Sequence, residues 1–389
     1  MTLPPPPEPS GSQPQNGGVP PWGGQSGWPS SQGGQYRQSY SGPQGQPVWN
    51  PQHQWVGGSP VPPPDKGGKG KFALIALALV AVIAVSGVGI AIVMKSDSDI
   101  GGGGNGHTNA EFASAEDVNP ANVISDDPTC DAWARVGKAY VAETERVMWS
   151  ERDPQIPATE WSSQQRAMYE GVSAALTVAS NATENLKKQT PHRVMRELYG
   201  QYIEYARAFV KSVPNYEASD QYLANATSAL FSGLSAVCSA ITYRSVMSVA
   251  PLLPPPPPPS EIAKPGLSEL ALGRPESTCQ DWIALSDRYD ADTRAWVASD
   301  PKIPASEWSP EQRALNEAIG PVMAENADKM EQLGRRSGNP VLEDIAVFAA
   351  QYRRAFVKAL PEYTWTDNYL SRVAVYLAGA VNWACKASL

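Results

Sequence analysis

Few residues in this 389-residue chain are of types that could do covalent chemistry, and their spacing restricts them further. The three histidines stand apart at His53, His107 and His192, which excludes a metal site built from imidazoles. No Gly-x-Ser-x-Gly, His-Glu-x-x-His or glycine-rich phosphate loop occurs. Paired acids are the remaining route, since two carboxylates suffice for glycoside hydrolysis. Asp153 and Asp300, Glu160 and Glu307, and Asp220 and Asp367 each recur in matching contexts. Asp153 and Asp300 precede proline and open turns. Asp220 and Asp367 stand where a helix begins, a position that favours negative charge. The expectation is therefore no catalytic residue, no metal, no cofactor and no enzyme.

Binding has better candidates. Arg166, Arg313, Arg207 and Arg354 suit an anionic group such as a phosphate or carboxylate, or equally ion pairs with neighbouring glutamates. Trp161, Trp308, Tyr216 and Tyr363, with Trp149 and Trp296 nearby, could form a sugar- or peptide-binding platform. Such rings also fill the end of a helical core.

The elements that position these residues come twice. Thr129-Cys130-Asp131-Ala132-Trp133 matches Thr278-Cys279-Gln280-Asp281-Trp282 at an offset of 149. The Asp-Pro-x-Ile-Pro-Ala stretch at Asp153 returns at Asp300, and the stretch at Tyr205 returns at Tyr352, both at an offset of 147. The first copy thus holds two extra residues between Thr144 and Trp149. Each copy reads as four helices. Trp133, Val136, Tyr140, Thr144 and Val147 form a helical stripe. Ser162-x-x-Gln165 and Ser309-x-x-Gln312 are capping boxes that start the second helix. Thr190-Pro191 and Asn339-Pro340 should start the third. The fourth follows Asp220 or Asp367 and ends near the second cysteine. No strand pattern is found, so the fold class is all-α.

In an up-down bundle the start of helix one lies beside the end of helix four. Of three possible connectivities, Cys130 with Cys238 and Cys279 with Cys385 is the natural one. Each bridge would close a loop worth about 4–5 kcal/mol in the chain-entropy view.

The rest of the chain concerns topology. Residues 1–71 are rich in Pro, Gly, Gln and Ser and too poor in aliphatics to order themselves; they read as a disordered cytoplasmic tail. Residues 72–94 carry no charge and are long enough to span a bilayer as a transmembrane helix. Lys66, Lys69 and Lys71 precede the span while Asp97 and Asp99 follow it, which places the N-terminus inside the cell. All four cysteines lie beyond the span, on the side where disulfides persist. Residues 95–127 read as a flexible linker, 128–245 and 277–389 as the two bundles, and 246–276 as a Pro-rich linker. Six prolines at 254–259 would form a stiff rod that spaces the bundles.

The net charge of −8 argues against nucleic acid as a partner. The layout, with the motifs Thr-Cys-x-x-Trp, Asp-Pro-x-Ile-Pro-Ala and Arg-Ala-Phe-Val-Lys, resembles Pro-rich single-pass membrane proteins of mycobacteria and related actinobacteria. That resemblance implies a cell-envelope location and no established activity. The expected function is a non-catalytic binding or scaffolding module. Its partners would be an envelope protein or cell-wall ligand outside and a cytoplasmic protein at the tail. A cell-wall-modifying enzyme, or a receptor for an envelope small molecule or lipid, is the alternative.

Overall fold

The computed structural model describes residues 111–266 and 277–389; the tail, the 72–94 span and residues 95–110 lie outside the described residues. The described residues form α-helices, short 3-10 turns and loops, with no strand. The first repeat holds α1 (Cys130–Arg146), α2 (Ser163–Gln189), α3 (Arg193–Ser212) and α4 (Gln221–Thr242), followed by the short α5 (Ser245–Val249). The second holds α6 (Cys279–Val297), α7 (Pro310–Arg336), α8 (Pro340–Ala359) and α9 (Asn368–Ser388). In each repeat consecutive helices pack together and the first returns onto the fourth. The cysteines pair as Cys130–Cys238 and Cys279–Cys385, tying the start of the first helix to the end of the fourth.

Local chemistry explains most boundaries. The Ser162 hydroxyl accepts from the Gln165 amide at 3.1 Å to open α2. At α7 both halves of the box form, because Gln312 Oε1 also accepts from the Ser309 N–H at 3.1 Å. Asn339 Oδ1 accepts from the N–H groups of Val341 and Leu342 to open α8, with Pro340 at its first position. α3 departs from the expected start at Thr190-Pro191. Thr190 instead closes α2, and its hydroxyl donates to Asp127 Oδ2 at 2.6 Å, so α3 begins at Arg193. The two extra residues of the first repeat fall where α1 stops at Arg146 and Met148 takes a left-handed conformation (φ 53°). In the second repeat the helix runs on to Val297 without this break.

The repeats are not held apart. α4 lies along α9 with the two chains antiparallel: Tyr222 at the start of α4 stacks on Trp383 near the end of α9, and Tyr243 after α4 stacks on Tyr369 near the start of α9. Gly233 permits the close approach, since a Cβ there would meet Leu377 Cδ2 at 2.5 Å. Ala218–Thr242 is apolar and long enough to cross a membrane, but 67% of its apolar window is buried within this fold, as expected of a core helix.

Two expected linkers therefore need correction. The proline run does not space the repeats; it lies against the second one. Arg335 donates to the carbonyls of Pro257 and Pro258 at 3.0 and 3.1 Å, and Ser260 binds Glu343. Proline carbonyls have no N–H neighbours to satisfy them within the run, so an arginine fork can take two at once. Residues 111–127 are likewise packed, not a free linker. Phe112, Ser114, Ala121 and Ile124 are buried. The Ile124 N–H donates to the Tyr352 hydroxyl at 3.3 Å, joining this segment to the second repeat.

Candidate functional site

The expected aromatic and arginine residues come together in each repeat, around the Asp-Pro-x-Ile-Pro-Ala loop. In the first, the Trp161 indole donates to the Ile156 carbonyl at 2.8 Å and its ring stacks on Tyr169 at 4.1 Å. The Tyr216 hydroxyl donates to the Pro154 carbonyl at 2.8 Å, and Arg166 donates to the Ala158 carbonyl at 3.2 Å. The second repeat reproduces this: Trp308 to Ile303 (3.0 Å), Tyr363 to Pro301 (2.6 Å), and Arg313 to Ala305 (3.1 Å). Trp161, Tyr216 and Tyr363 are buried and Trp308 is half-buried. Their polar atoms point at backbone carbonyls of the loop, so these side chains clamp it against the helix ends.

The other two arginines form ion pairs with acids of the neighbouring helix. Arg207 meets Glu184 at 2.9 Å, and Arg354 meets Asp328 and Glu331, both at 2.7 Å. Neither is brought to the loop clamp. His192, the one histidine described, meets the Asp126 carbonyl at 2.8 Å. All four cysteines are in disulfides. Among the described residues no group of three or more His, Cys, Asp and Glu could hold a metal ion.

Two other places carry unusual chemistry. The first is a cluster of buried charge between the repeats. Arg193 makes a two-pronged contact to Asp344 of α8, at 2.7 and 2.9 Å, with both side chains almost fully buried. Arg196 donates to the Ser114 carbonyl and hydroxyl. Glu197 is also buried, 3.9 Å from Arg193 and 3.7 Å from Arg196, and neither carboxyl oxygen has a hydrogen-bond partner. Burial, followed by the nearby Asp344 charge, pushes the Glu197 carboxyl well above the usual range. Burial also lowers Arg196, while Asp344 and Glu197 hold Arg193 above its ordinary value despite its burial.

The second is a cleft in the second repeat, lined among others by Trp282, Tyr289, Asp290, Arg353, Asn382 and Trp383. Counting its open mouth it encloses about 510 Å³, but its inner part has room for only a few water molecules. The Arg353 guanidinium lies 4.0 Å over the Tyr289 ring and donates to Asn326. Burial depresses the Arg353 pKa and raises that of Asp290.

The profile of a family described as mycobacterial ESX-1 associated protein matches residues 112–389. The chain belongs to that family. It is also similar to an uncharacterized protein of Mycolicibacterium smegmatis (strain MKD8), 38% identical over 284 residues, covering 72% of this chain and 75% of the relative. No solved structure matches. The family's region begins at the packed segment ahead of α1 and runs through both repeats, so the buried charge cluster and the cleft both lie inside it.

Neither place is visible in the sequence of a single repeat. Asp344 and Arg193 are far apart in sequence, and the repeat counterpart of Asp344 is not Arg193 but Glu197. The signal for the cleft lay in the offsets, which set Arg353 against Ala206, Asn382 against Ser235 and Asp290 against Val141.

Proposed function

We propose that this chain is a non-catalytic cell-envelope protein that holds a protein partner alongside the ESX-1 apparatus named in its family's description. The observation that carries this reading is an aromatic patch built at the seam of the two repeats. Tyr243, 40% exposed, stacks on Tyr369 at 5.1 Å, and Trp365, 49% exposed, meets Tyr243 edge-on at 5.2 Å. Arg372 lies over Tyr369, and exposed Met247 is close by in sequence. Exposed aromatics with an arginine are the composition that anchors protein interfaces. The seam exists only because α4 and α9 pack together, so the patch belongs to the pair and to neither repeat alone.

The membrane arrangement completes the proposal: residues 72–94 span the bilayer, the tail faces the cytoplasm, and the disulfide-closed repeats lie outside. The uncharged span, its flanking lysines and the placement of every cysteine beyond it support that topology. Cross-linking in living cells followed by mass spectrometry tests the reading. Secretion-system or envelope proteins should co-purify with the full chain and be lost on the double change Trp365→Ala and Tyr243→Ala. Recovery of the chain alone, or partners indifferent to both changes, would overturn it.

A further inference from the structure

The two repeats share a frame but fill it differently, and the difference opens a site. In the first repeat Trp133 is enclosed by Tyr199, Tyr202 and Phe231, with centroids 5.6, 5.2 and 5.3 Å away. At the offset of 147 the second repeat has Ala346, Ala349 and Ala378 in their places. Of these alanines, Ala346 packs against Gly334, while Ala378 borders the cleft beside Trp282.

The groups set around that space are polar and underused. Arg353 is only 3% exposed, and no carboxylate lies within ion-pair distance of it among the described residues. Its nearest acid, Asp290, attracts it only from beyond ion-pair distance, so burial still lowers Arg353; the first repeat has Ala206 and Val141 in these places. Asn382 has a buried Oδ1 with no hydrogen-bond partner. Its counterpart Ser235 accepts from the Trp133 indole at 3.0 Å, whereas the Trp282 indole donates to the Ala378 carbonyl at 3.1 Å, which leaves Asn382 without that role. Turned over, the same amide presents N–H donors.

The geometry points to a binding site for a small monocarboxylate in this cleft, with Arg353 as its counter-ion and Asn382 as its amide partner. Trp282, Leu285, Val375 and Trp383 line the cleft and suit a short apolar stem. Asp290 also lines it and disfavours a second negative charge, so a carboxylate is selected over a phosphate. The interior has room only for the carboxyl end, so a short chain or a single flat ring lies in the open mouth of the cleft. This site goes beyond the partner-holding role and does not depend on it.

Ligand-observed saturation-transfer NMR on the purified full chain, with butyrate, benzoate and inorganic phosphate as probes, tests the assignment. Transfer to butyrate or benzoate is expected, with none to phosphate. Either acid should also raise the melting temperature by a few degrees as its concentration rises. Arg353→Ala, which copies Ala206, should weaken binding at least tenfold. Ala378→Phe, which restores the ring of Phe231, should abolish it. Helix content by circular dichroism and both disulfides intact show that each variant is folded. If Ala378→Phe does not fold, Asn382→Ser, which copies Ser235, replaces it and should weaken binding. Absence of transfer to either acid at millimolar concentration, or transfer unchanged in folded variants, would overturn the site.

Discussion

The two repeats keep the same ends and differ in the middle. Both close helix one to helix four with a disulfide, and both clamp the Asp-Pro-x-Ile-Pro-Ala loop with a tryptophan, a tyrosine and an arginine. Between these fixed points the first repeat is packed with rings around Trp133, while the second has alanines, a buried arginine and a cleft. The shared framework is the part in which loop and helix ends depend on particular hydrogen bonds. Core side chains tolerate substitution as long as volume and pattern suffice, and it is there that the two copies differ. The first copy is packed with rings where the second carries buried polar groups.

A large effect is expected where the two repeats meet. Asp344→Ala takes the two-pronged partner from buried Arg193 and leaves it only the more distant Glu197 carboxyl, and the expected loss is about 3 kcal/mol by denaturant unfolding. Because the pair joins α3 to α8, destabilisation should appear in both repeats, read by hydrogen exchange in each. A loss confined to one repeat would show that the seam does not couple them. An effect of similar size, about 3–5 kcal/mol, is expected for Phe231→Ala, which empties the first repeat as the second already is. Gly233→Val drives a side chain into Leu377 between α4 and α9, and about 1–3 kcal/mol should be lost.

Glu197 sharpens the comparison through pH, since the matching residue of the second repeat, Asp344, accepts a two-pronged arginine contact instead. Its folded pKa is raised above the unfolded value, so it binds a proton more tightly in the folded state. The stabilisation it contributes is full below the ordinary carboxylate range and is lost as pH rises through the raised folded value. Glu197→Gln should flatten that loss in melting temperature against pH, and an unchanged profile would show that the carboxyl is not held protonated. The smallest effect is expected at the caps. Ser309→Ala and Ser162→Ala should each cost about 1 kcal/mol, because each removes one hydroxyl that accepts from the Gln312 or Gln165 N–H.

Much of the architecture was legible because it is written in short-range chemistry. The capping serines, Asn339-Pro340, the repeat offsets and the cysteine pairing all rest on neighbours in sequence or on one repeat mirroring the other. Thr190 misled because its hydroxyl is taken by Asp127, a partner 63 residues away. The proline run misled because polyproline stiffness says nothing about whether Arg335 will bind its carbonyls. Trp161, Tyr216 and Arg166, and their counterparts, come together, yet their polar atoms face loop carbonyls, while Arg207 and Arg354 are taken by acids of the neighbouring helix; residue type alone reveals neither. Arg353 and Asn382 carried a signal only when each copy was subtracted from the other.

The segment ahead of α1 has a mechanical meaning. Lys188 holds Glu111 at 3.1 Å, Arg196 holds Ser114, Arg193 donates to both the Asp117 side chain and its carbonyl, and Tyr352 of the second repeat meets Ile124. Tension on the chain before Glu111 would be delivered to the joint where α3 faces α8, and so to both repeats at once. A pull from that end would load the paired domain as a single body, with the buried arginines at the point where the force divides.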